Sequence, residues 1–341
     1  MPRTFREIHL LARPKGVPQS EHFALVERPQ PALEAGEVRV RNLWLSVDPY
    51  MRGRMSERAS YTASYGLGEA LQGGAIGVVE ESRAEGLAEG ALVESMQGWR
   101  EGFTAPANLV EKLPTFAGVP PEAYLGAMGM PGLSAYAGLL RIGEPKAGER
   151  VFVSGAAGAV GSVACQIAKI KGCYVVGSAG SAEKCAWLEE LGVDRAVDYR
   201  AVPVLTKAVH AAMPEGLDIY FDNVGGAHLE AALDVARPFA RFVECGMIAN
   251  YNDAAAPAGP RNMVHIVAKS LTLRGFIVLQ FWHERDAFRR DMAGWIAAGR
   301  MRWRETVREG LEQAPQAFID LFAGGNTGKM LVKLPGADLN P

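Results

Sequence analysis

The sequence predicts an α/β protein in which a doubly wound parallel sheet is joined to a second, β-rich domain. From about residue 130 onward, short apolar runs typical of strands alternate with segments of helical periodicity. Before that point, glycine and proline are frequent and the apolar runs are short and alternating, which indicates an irregular β-rich domain. A chain of 341 residues is also too long for one hydrophobic core.

The predicted boundaries follow this change in texture. The β-rich domain is predicted over 1–128, the α/β domain over 129–302, and a returning segment over 303–341. Strands of the sheet are predicted near 151–154, 174–178, 195–198, 217–222, 239–245 and 271–277. Helices are predicted near 132–141, 159–171, 181–191, 203–213, 227–236 and 282–299. The tail adds a helix near 314–322 and a strand near 329–334, which would be isolated unless the chain returned to the first domain.

Residues 151–177 form the most informative stretch, because a strand, a glycine-rich turn, a helix and a second strand follow one another there. The turn contains Gly155, Gly158 and Gly161. Such a unit places a pyrophosphate at a helix N-terminus, where free N–H groups and the positive end of the helix dipole meet the anion. The first glycine of the usual G-x-G-x-x-G pattern is Ala156 here. The motif alone leaves an ordinary βα turn open, and the surrounding alternation favours a nucleotide site.

Composition excludes several classes of protein. A net charge of −2 gives no global bias toward nucleic acid or a membrane surface, and no apolar run approaches the length of a bilayer span. The first residues lack the apolar core of a signal peptide. Four scattered cysteines, without a C-x-x-C pair, are typical of a reducing cytoplasm and argue against a disulfide framework or a zinc lobe.

The sequence also predicts no metal centre. A catalytic zinc needs about three cysteine, histidine or carboxylate ligands at one open site. The predicted β-rich domain contains no cysteine, and its histidines are His9 and His22. The remaining histidines lack paired ligand spacing and are predicted to lie on helix surfaces: His210, His228, His265 and His283.

Four motifs carry a resemblance to a known family. They are the segments Leu45 to Gly53 (LSVDPYMRG), Gly129 to Tyr136 (GMPGLSAY), Tyr220 to Gly226 (YFDNVGG) and Asn250 to Asn252 (NYN). They are similar to the zinc-free branch of the medium-chain dehydrogenase/reductase superfamily, which contains prostaglandin reductases, plant alkenal double-bond reductases and bacterial curcumin reductases. The likeness covers nearly the whole chain, and the run from Asp48 to Ser56 resembles the curcumin-reductase type most.

This resemblance implies a Rossmann domain, a GroES-like β-rich domain and NADPH-dependent reduction of the C=C bond of α,β-unsaturated aldehydes or ketones. Without a Lewis acid, conjugate reduction is the natural chemistry, because a hydride can add to an already polarised alkene. The resemblance also implies a homodimer. The apolar run 271–276 would form the last strand of the sheet, and pairing across a two-fold axis would cover its edge.

The end of the second predicted strand favours NADPH over NADH. NAD-specific sites usually carry an acidic residue there, but this strand end is neutral and Glu183 lies too far into the next helix. Lys184 lies one turn into a helix that begins at Ser181. Composition alone favours a solvated lysine; the resemblance instead assigns Lys184 and Tyr199 to the 2′-phosphate, and Ser181 is expected to add a hydroxyl.

The resemblance implies further cofactor contacts. The backbone of Gly158, Ala159 and Val160 is expected to bind the pyrophosphate. For Phe276 and Val278, core packing is an equally supported interpretation, and any contact of Cys245 is expected through its backbone. The other expected contacts open a helix, follow a strand or belong to the returning tail: Met130, Ser134, Asn223, Gly246, Ile248, Ile277 and Asn326.

Hydride addition to the β-carbon places negative charge on the carbonyl oxygen, so the site needs a hydrogen-bond donor there. A tyrosine, with an ordinary pKa of about 10, suits this role. We predict Tyr251, in the long loop 246–261, as the first catalytic candidate and Tyr50 as the second. Both would also line the substrate pocket, together with Tyr61 and Tyr65 from segment 56–66. Alternatively, the ribose 2′-hydroxyl of the cofactor stabilises the enolate and Tyr251 only forms a wall.

Two rival classes stay open on the sequence alone. One is an NADPH-dependent quinone reductase or an alcohol dehydrogenase of the same fold, although the missing zinc ligands weigh against the alcohol activity. The other is a binding protein that keeps the nucleotide site without catalysis. The physiological alkene cannot be named from the sequence.

Overall fold

The computed structural model describes residues 3–57, 60–253, 255 and 258–338, which fall into two compact units. The first unit spans Met1–Leu125 and Glu305–Pro341, and the second spans Gly126–Arg304. Of the helices in the described ranges, none has the length and apolar character that crossing a bilayer requires.

The N-terminal part of the first unit is mainly β-structure. Its strands are β1 (Thr4–Leu10), β2 (Phe23–Pro29), β3 (Glu37–Ser46), β4 (Ala75–Ser82), β5 (Leu92–Ser95), β6 (Gly102–Pro106) and β7 (Val110–Lys112), with the short helix α1 (Met51–Arg54) after β3. Strands β1 and β2 form their own antiparallel pair, and β3 is the long central strand of a second sheet. Short 3-10 turns lie at Ser20–His22, Ala107–Leu109 and Pro121–Leu125.

The second unit alternates strands and helices. Its strands are β8 (Arg150–Val153), β9 (Tyr174–Ala179), β10 (Arg195–Asp198), β11 (Leu217–Asp222), β12 (Ala236–Glu244) and β13 (Thr272–Gly275). Its helices are α2 (Met130–Ala137), α3 (Ala159–Ile170), α4 (Ala182–Glu190), α5 (Leu205–Ala212), α6 (Gly226–Val235), α7 (Val264–Ala268) and α8 (Arg285–Ala297). A π-helical turn, Gly138–Gly143, continues α2, and 3-10 turns lie at Ile248–Asn250 and Val278–Glu284.

The strands of the second unit form one parallel sheet with the order β10-β9-β8-β11-β12-β13. The chain winds outward from β8 to β10, crosses to β11 beside β8, and winds outward again. This confirms the predicted doubly wound α/β fold. Open sheets of this kind bind ligands at the carboxyl ends of the strands where the winding reverses, here at β8 and β11.

An aromatic row fixes the centre of this sheet. Phe152 on β8, Tyr220 on β11 and Phe242 on β12 occupy paired register positions and are fully buried. Their ring centroids lie 5.3 Å and 5.4 Å apart along the row. Such contacts between aromatic rings stabilise the packing of the three neighbouring strands in this register.

Some predicted bounds change in the structure. The predicted strand 271–277 is shorter, since Phe276 leaves the ladder and a 3-10 turn begins at Val278. The predicted helix 282–299 becomes this 3-10 turn followed by α8.

The returning segment consists of β14 (Glu305–Glu309), α9 (Ala314–Ala323) and β15 (Lys329–Lys333). β15 pairs antiparallel with β3, and β14 extends the same sheet in parallel with β15. The sequence analysis missed β14, because its sequence ETVRE has a single large apolar residue and its side chains are half-buried or exposed.

Trp99 anchors the core of the first unit in an unusual backbone conformation. Its φ of 60° is rare for a bulky residue, yet its side chain is fully buried between Phe23 and Phe318. The indole N–H donates to the carbonyl oxygen of Ser46 over 3.2 Å. Core packing and this hydrogen bond together offset the backbone strain.

A buried ion pair joins the returning tail to the segment after β3. The Nζ atom of Lys329 lies 3.0 Å from Oδ1 of Asp48, and the two residues are only 3% and 6% exposed. Nζ also donates to the carbonyl oxygens of Val47 and Met330, at 2.7 Å and 3.0 Å. The Ser46 hydroxyl donates to Asp48. Burial lowers the pKa of Lys329, and the Asp48 carboxylate opposes this shift.

We predict that Lys329→Met lowers the free energy of unfolding by about 3–5 kcal/mol, because it leaves the Asp48 carboxylate buried without its partner. Urea unfolding of the two proteins at neutral pH measures the difference. Lys333→Met, on the same strand, is the matched control, since the partner of Lys333 is the exposed Asp338. A Lys329→Met protein as stable as this control would contradict the interpretation.

Candidate active site

Glycines shape the turn between β8 and α3. Gly155 has a φ of +56°, in the left-handed region that favours glycine. A Cβ on Gly161 would lie 2.7 Å from the Cα of Ala156, so any side chain there would collide with the turn. Gly158 is the N-cap of α3 and provides no side-chain cap, which presents the N–H groups of Ala159 and Val160 as an anion site. This cradle fits the pyrophosphate of a dinucleotide.

The structure also explains why the glycine pattern departs from the usual one. Ala156 occupies the position of the first glycine and is fully buried. A Cβ on Gly177 of β9 would lie 2.8 Å from the Cβ of Ala156. Because Gly177 has no side chain, it leaves the space that the methyl group of Ala156 occupies. A glycine on the neighbouring strand β9 thus compensates for the alanine in the motif.

Gly180 directly follows β9. Ser181 and Lys184 come next in the chain, and Tyr199, which follows β10, lies beside Gly180. Ser181 caps α4, and its Oγ accepts the backbone N–H of Lys184 over 3.3 Å. A Cβ on Gly180 would lie 2.8 Å from the Tyr199 hydroxyl, so the tyrosine packs against the strand end. Burial lowers the pKa of Lys184, and the charge of Arg200 lowers it further. The sequence analysis missed Arg200, although a second basic residue beside Tyr199 was a usable signal.

Asp222, at the end of β11, organises the next group of predicted contacts. Its Oδ1 accepts hydrogen bonds from the hydroxyls of Ser154 and Tyr220 and from the N–H groups of Val224 and Gly225, at 2.7–2.8 Å. Its backbone oxygen accepts the N–H groups of Cys245 and Gly246, both at 3.0 Å.

Asn223 lies inside this arrangement. Its backbone N–H donates to Ser154 Oγ over 2.9 Å, and its side-chain amide donates to the Ser154 carbonyl oxygen over 2.8 Å. The structure therefore brings Asn223, Cys245 and Gly246 together around one residue, Asp222: Cys245 and Gly246 bind its carbonyl oxygen, and Asn223 binds Ser154, which donates to its carboxylate.

Glu244 is a residue of this site that the sequence analysis missed. It is the last residue of β12 and stands in register with Asp222 on β11. Burial raises its pKa to about 8, and the neighbouring Asp222 carboxylate adds to the shift. The available signal was a carboxylate that directly follows the apolar pair Phe242 and Val243 at the carboxyl end of a predicted strand.

The same surroundings suppress the reactivity of Cys245. Burial first, and then the Asp222 and Glu244 carboxylates, raise the pKa of the Cys245 thiol to about 12. The thiol is therefore protonated at neutral pH and is a poor nucleophile. This agrees with a role for Cys245 through its backbone.

His228 corrects one prediction. It was expected on a helix surface, but it is 5% exposed and its ring packs edge-on against Tyr199, with centroids 4.9 Å apart. The reason is that α6 is buried on several faces, not on one stripe. Burial lowers the pKa of His228 to about 4, so the ring is neutral at pH 7. His210 and His283 are exposed as predicted.

Other predicted contacts of the second unit lie on separate elements. Met130 is the first residue of α2, and its carbonyl oxygen accepts the Ser134 hydroxyl over 2.9 Å. Phe276 is buried against Phe281, and its ring closely approaches Gly138, which supports the core-packing interpretation. Ile277 and Val278 are half-buried at the start of the 3-10 turn that follows. Ile248 begins the turn after β12.

Tyr251, the first catalytic candidate, ends that turn after β12. A Cβ on Gly246 would lie 3.0 Å from the Tyr251 hydroxyl, so the phenol approaches the backbone that follows β12. Tyr251 thus lies near Gly246, beside the group organised by Asp222. Positions 254, 256 and 257 of the predicted loop 246–261 lie outside the described residues.

The remaining predicted tyrosines belong to the first unit. The Tyr50 hydroxyl is buried and has no hydrogen-bond partner in the described parts of the chain, and burial raises its pKa well above the ordinary value. Tyr65 is buried and donates to the Gln72 carbonyl oxygen over 2.6 Å, whereas Tyr61 is 59% exposed. Positions 58 and 59 of segment 56–66 lie outside the described residues. Asn326 donates to the Gly328 carbonyl oxygen over 2.7 Å.

Across the described ranges, histidine, cysteine, aspartate and glutamate side chains do not gather in groups of three or more that could hold a metal ion. The donors that this part of the structure offers are the backbone N–H groups at the α3 N-terminus and the cationic or hydroxyl side chains after β9. Donors of this kind recognise phosphate groups.

Comparison with known proteins relates both units to oxidoreductases. Residues 6–113 match the family described as the N-terminal domain of oxidoreductase, and residues 159–298 match the family described as zinc-binding dehydrogenase. The NADPH-dependent curcumin reductase of Escherichia coli (strain K12) is 39% identical over 335 residues, which cover 96% of each chain. The NADP(+)-dependent 2-alkenal reductase of Nicotiana tabacum is 40% identical over 301 residues, 87% of each chain.

A solved structure shows the same likeness in three dimensions. CurA from Vibrio vulnificus, in complex with NADPH, superposes with a TM-score of 0.91 at 39% identity and covers 98% of this chain and 100% of its own. Sequence and structure therefore agree over both units and over nearly the full length of each relative. On this evidence the chain belongs to the medium-chain dehydrogenase/reductase superfamily.

Proposed function

We propose that the protein uses NADPH to reduce the C=C bond of α,β-unsaturated aldehydes and ketones. The observation that carries this proposal is the nearly full-length likeness to reductases named for curcumin and 2-alkenals. The glycine cradle at α3 and the neutral, lysine-bearing segment after β9 fit NADPH.

Rapid mixing of the purified protein with NADPH and a simple 2-alkenal tests the proposed reaction. NADPH that is bound but not oxidised would indicate a non-enzymatic nucleotide-binding protein, and oxidation by quinones alone would indicate a quinone reductase.

In the proposed mechanism the chain's residues bind the cofactor and stabilise developing charge. The backbone of Gly158, Ala159 and Val160 holds the pyrophosphate, while Lys184 and Tyr199 hold the 2′-phosphate with help from Ser181. When bound, NADPH would supply the hydride that adds to the β-carbon of the substrate, and the reduction would be completed by one proton added to the α-carbon, drawn ultimately from water. The further cofactor contacts in this proposal are Met130, Ser134, Asn223, Cys245, Gly246, Ile248, Phe276, Ile277, Val278 and Asn326.

Tyr251 is the donor that we propose for the carbonyl oxygen of the substrate. The hydrogen bond from the Tyr251 hydroxyl becomes stronger as the carbonyl oxygen gains negative charge. It therefore stabilises the transition state more than the bound substrate. Tyr50 is the second candidate, because its buried hydroxyl has no hydrogen-bond partner among the described residues and burial keeps it protonated. Tyr61 and Tyr65 complete the proposed substrate contacts.

We predict that Lys184→Ala raises the KM for NADPH by about 10- to 150-fold, because a charge-assisted hydrogen bond contributes roughly 1.5–3 kcal/mol. The KM for NADH stays nearly unchanged, since NADH lacks the 2′-phosphate. Steady-state oxidation of each cofactor by a 2-alkenal measures both constants. Lys207→Ala, an exposed change on α5, is the control. Equal use of NADPH and NADH by the unmodified protein would refute the cofactor preference.

We predict that Tyr251→Phe lowers kcat by about 100- to 1000-fold, because it deletes one donor to the developing charge and keeps the ring. Its KM for the enal changes less than its kcat. A kcat within about threefold of the parent, with a raised KM, would show that Tyr251 only shapes the pocket. Tyr50→Phe then tests the second candidate, and normal turnover in both variants would leave the stabilisation to the cofactor hydroxyl or water.

We also propose a homodimer that forms through the edge of the second unit's sheet. β13 is one of the two edge strands of this sheet, and large apolar side chains on β12 and on α7, the elements next to it, are exposed: Phe239 by 74%, Val264 by 68% and Val267 by 83%. Pairing of two β13 strands across a two-fold axis would cover this edge and these side chains. Sedimentation should show a dimer at micromolar concentration and a shift toward monomer in Val267→Glu. A monomeric parent protein would contradict the proposal.

A cytoplasmic location completes the proposal. The four cysteines are unpaired in the structure, which suits a reducing compartment. A disulfide found in protein isolated from its cells under thiol-blocking conditions would argue against this location.

A further inference from the structure

Glu244 and Asp222 form a buried pair of carboxyl groups at the ends of two adjacent parallel strands. They occupy the same register position on β12 and β11. Both side-chain oxygens of Glu244, and Oδ2 of Asp222, are buried without a hydrogen-bond partner among the described residues. Two ionised carboxylates cannot hydrogen-bond to each other, because neither has a donor. A proton on one of the two carboxyl groups would give these buried oxygens a hydrogen bond and remove the repulsion between two charges.

The contacts of Asp222 indicate which group holds that proton. Four donors converge on Asp222 Oδ1, from Ser154, Tyr220 and the N–H groups of residues 224 and 225. Donors to a carboxylate favour its ionised form. Glu244 has no such donors in the described structure. Glu244 is therefore the acid of the pair, and Asp222 is the acceptor.

We propose that Glu244 is a positioning residue for the cofactor: its carboxyl group holds one proton, donates it in a hydrogen bond to Oδ2 of Asp222, and so keeps the backbone around Asn223 and Gly246 in place. The proton site follows from the pair itself, and its effect on the cofactor rests on the proposed function. Asp222 makes the link, because it holds the turn that contains Asn223 through its side chain and the N–H groups of Cys245 and Gly246 through its carbonyl oxygen.

Among the groups described below, Glu244 is the one whose pKa lies at neutral to mildly alkaline pH. Burial and the Asp222 charge raise the Glu244 pKa to about 8. On β11, burial raises the pKa of Tyr220 well above its ordinary value; on α6, burial lowers the pKa of His228 to about 4. The Cys245 thiol, on the same chain segment as Glu244, has its pKa raised to about 12. On the other side, β13 places Gly275 in register with Glu244.

Loss of this proton places two negative charges side by side in a buried site. The repulsion acts on the carboxylate that holds the N–H groups of residues 224 and 225. If the cofactor binds only the protonated form, its apparent Kd is the intrinsic Kd divided by the protonated fraction. With a pKa of about 8, that fraction falls from about nine-tenths at pH 7 to about one-tenth at pH 9, so the Kd rises about tenfold.

The first measurement uses the full chain without cofactor. Infrared difference spectra between pH 6 and pH 10 should show a protonated carboxyl band that disappears with a midpoint near pH 8. The folded-state pKa lies above the ordinary value of 4.5, so the stability from this proton is complete below 4.5 and is lost as the pH rises through about 8. Glu244→Gln should lack the band and should melt higher than the parent at pH 9, because its amide keeps a donor for Asp222 without a charge.

The second measurement is the Kd for NADPH at pH 7 to 9, followed by cofactor fluorescence without substrate. We expect the Kd of the parent to rise about tenfold, and that of Glu244→Gln to stay within about twofold. Glu189→Gln, which removes an exposed carboxylate on α4, is the matched control and should follow the parent. Tight binding at pH 7 with no rise toward pH 9, or a rise that Glu244→Gln retains, would overturn the proposal.

The two measurements separate this proposal from the proposed function. A protein that shows the infrared band but does not bind NADPH at pH 7 would refute the proposed function and the cofactor role of Glu244 together. A protein that binds NADPH and lacks the band would refute only the proton site. If Glu244→Gln does not fold, the parent protein decides the question, because the band and the Kd must share a midpoint near pH 8.

Discussion

The candidate site depends on one buried carboxylate more than on any other group. Asp222 receives hydrogen bonds from the β8 end through Ser154, from its own strand through Tyr220, and from the turn that follows β11. Its carbonyl oxygen accepts hydrogen bonds from the N–H groups of Cys245 and Gly246, which follow β12. Three adjacent strand ends are thereby held at the edge where open α/β sheets bind ligands. Because removing the carboxylate would leave several buried donors unpaired at once, this edge is rigid where a cofactor requires a defined shape.

The first unit uses a buried charge pair for a comparable purpose. Lys329 reaches from the returning strand to Asp48 and to the Val47 carbonyl oxygen, and it satisfies all its donors there. A buried ion pair contributes little net stability over apolar packing, but breaking it is costly. Its effect is therefore to specify one arrangement: the tail must return to β3, and the Ser46 to Tyr50 segment must stay beside it. That segment carries Tyr50, a proposed substrate contact.

Departures from a motif have local physical compensation in this protein. Ala156 replaces a glycine, and Gly177 on the next strand supplies the missing space. The strand end that would carry an acid in an NAD site is neutral, and the charge of Arg200 acts on Lys184 there and lowers its pKa further. Repulsion between two neighbouring cations is relieved by a bound phosphate, which is consistent with the preference for NADPH proposed above. Both features depend on pairs of residues that are separated in sequence and neighbours in the fold.

The sequence by itself determined the parallel α/β unit, the glycine turn, the helix that begins after Ser181 and the family likeness. These depend on apolar periodicity, backbone-permissive glycines and caps, which act over a few residues. Only the tertiary structure decided that His228 is buried, that β14 joins a sheet despite its polar sequence, and that Glu244 meets Asp222. Each of these depends on which strands or helices become neighbours. A residue's burial and its charged partners are set by contacts across the fold, and the local sequence pattern does not specify those contacts.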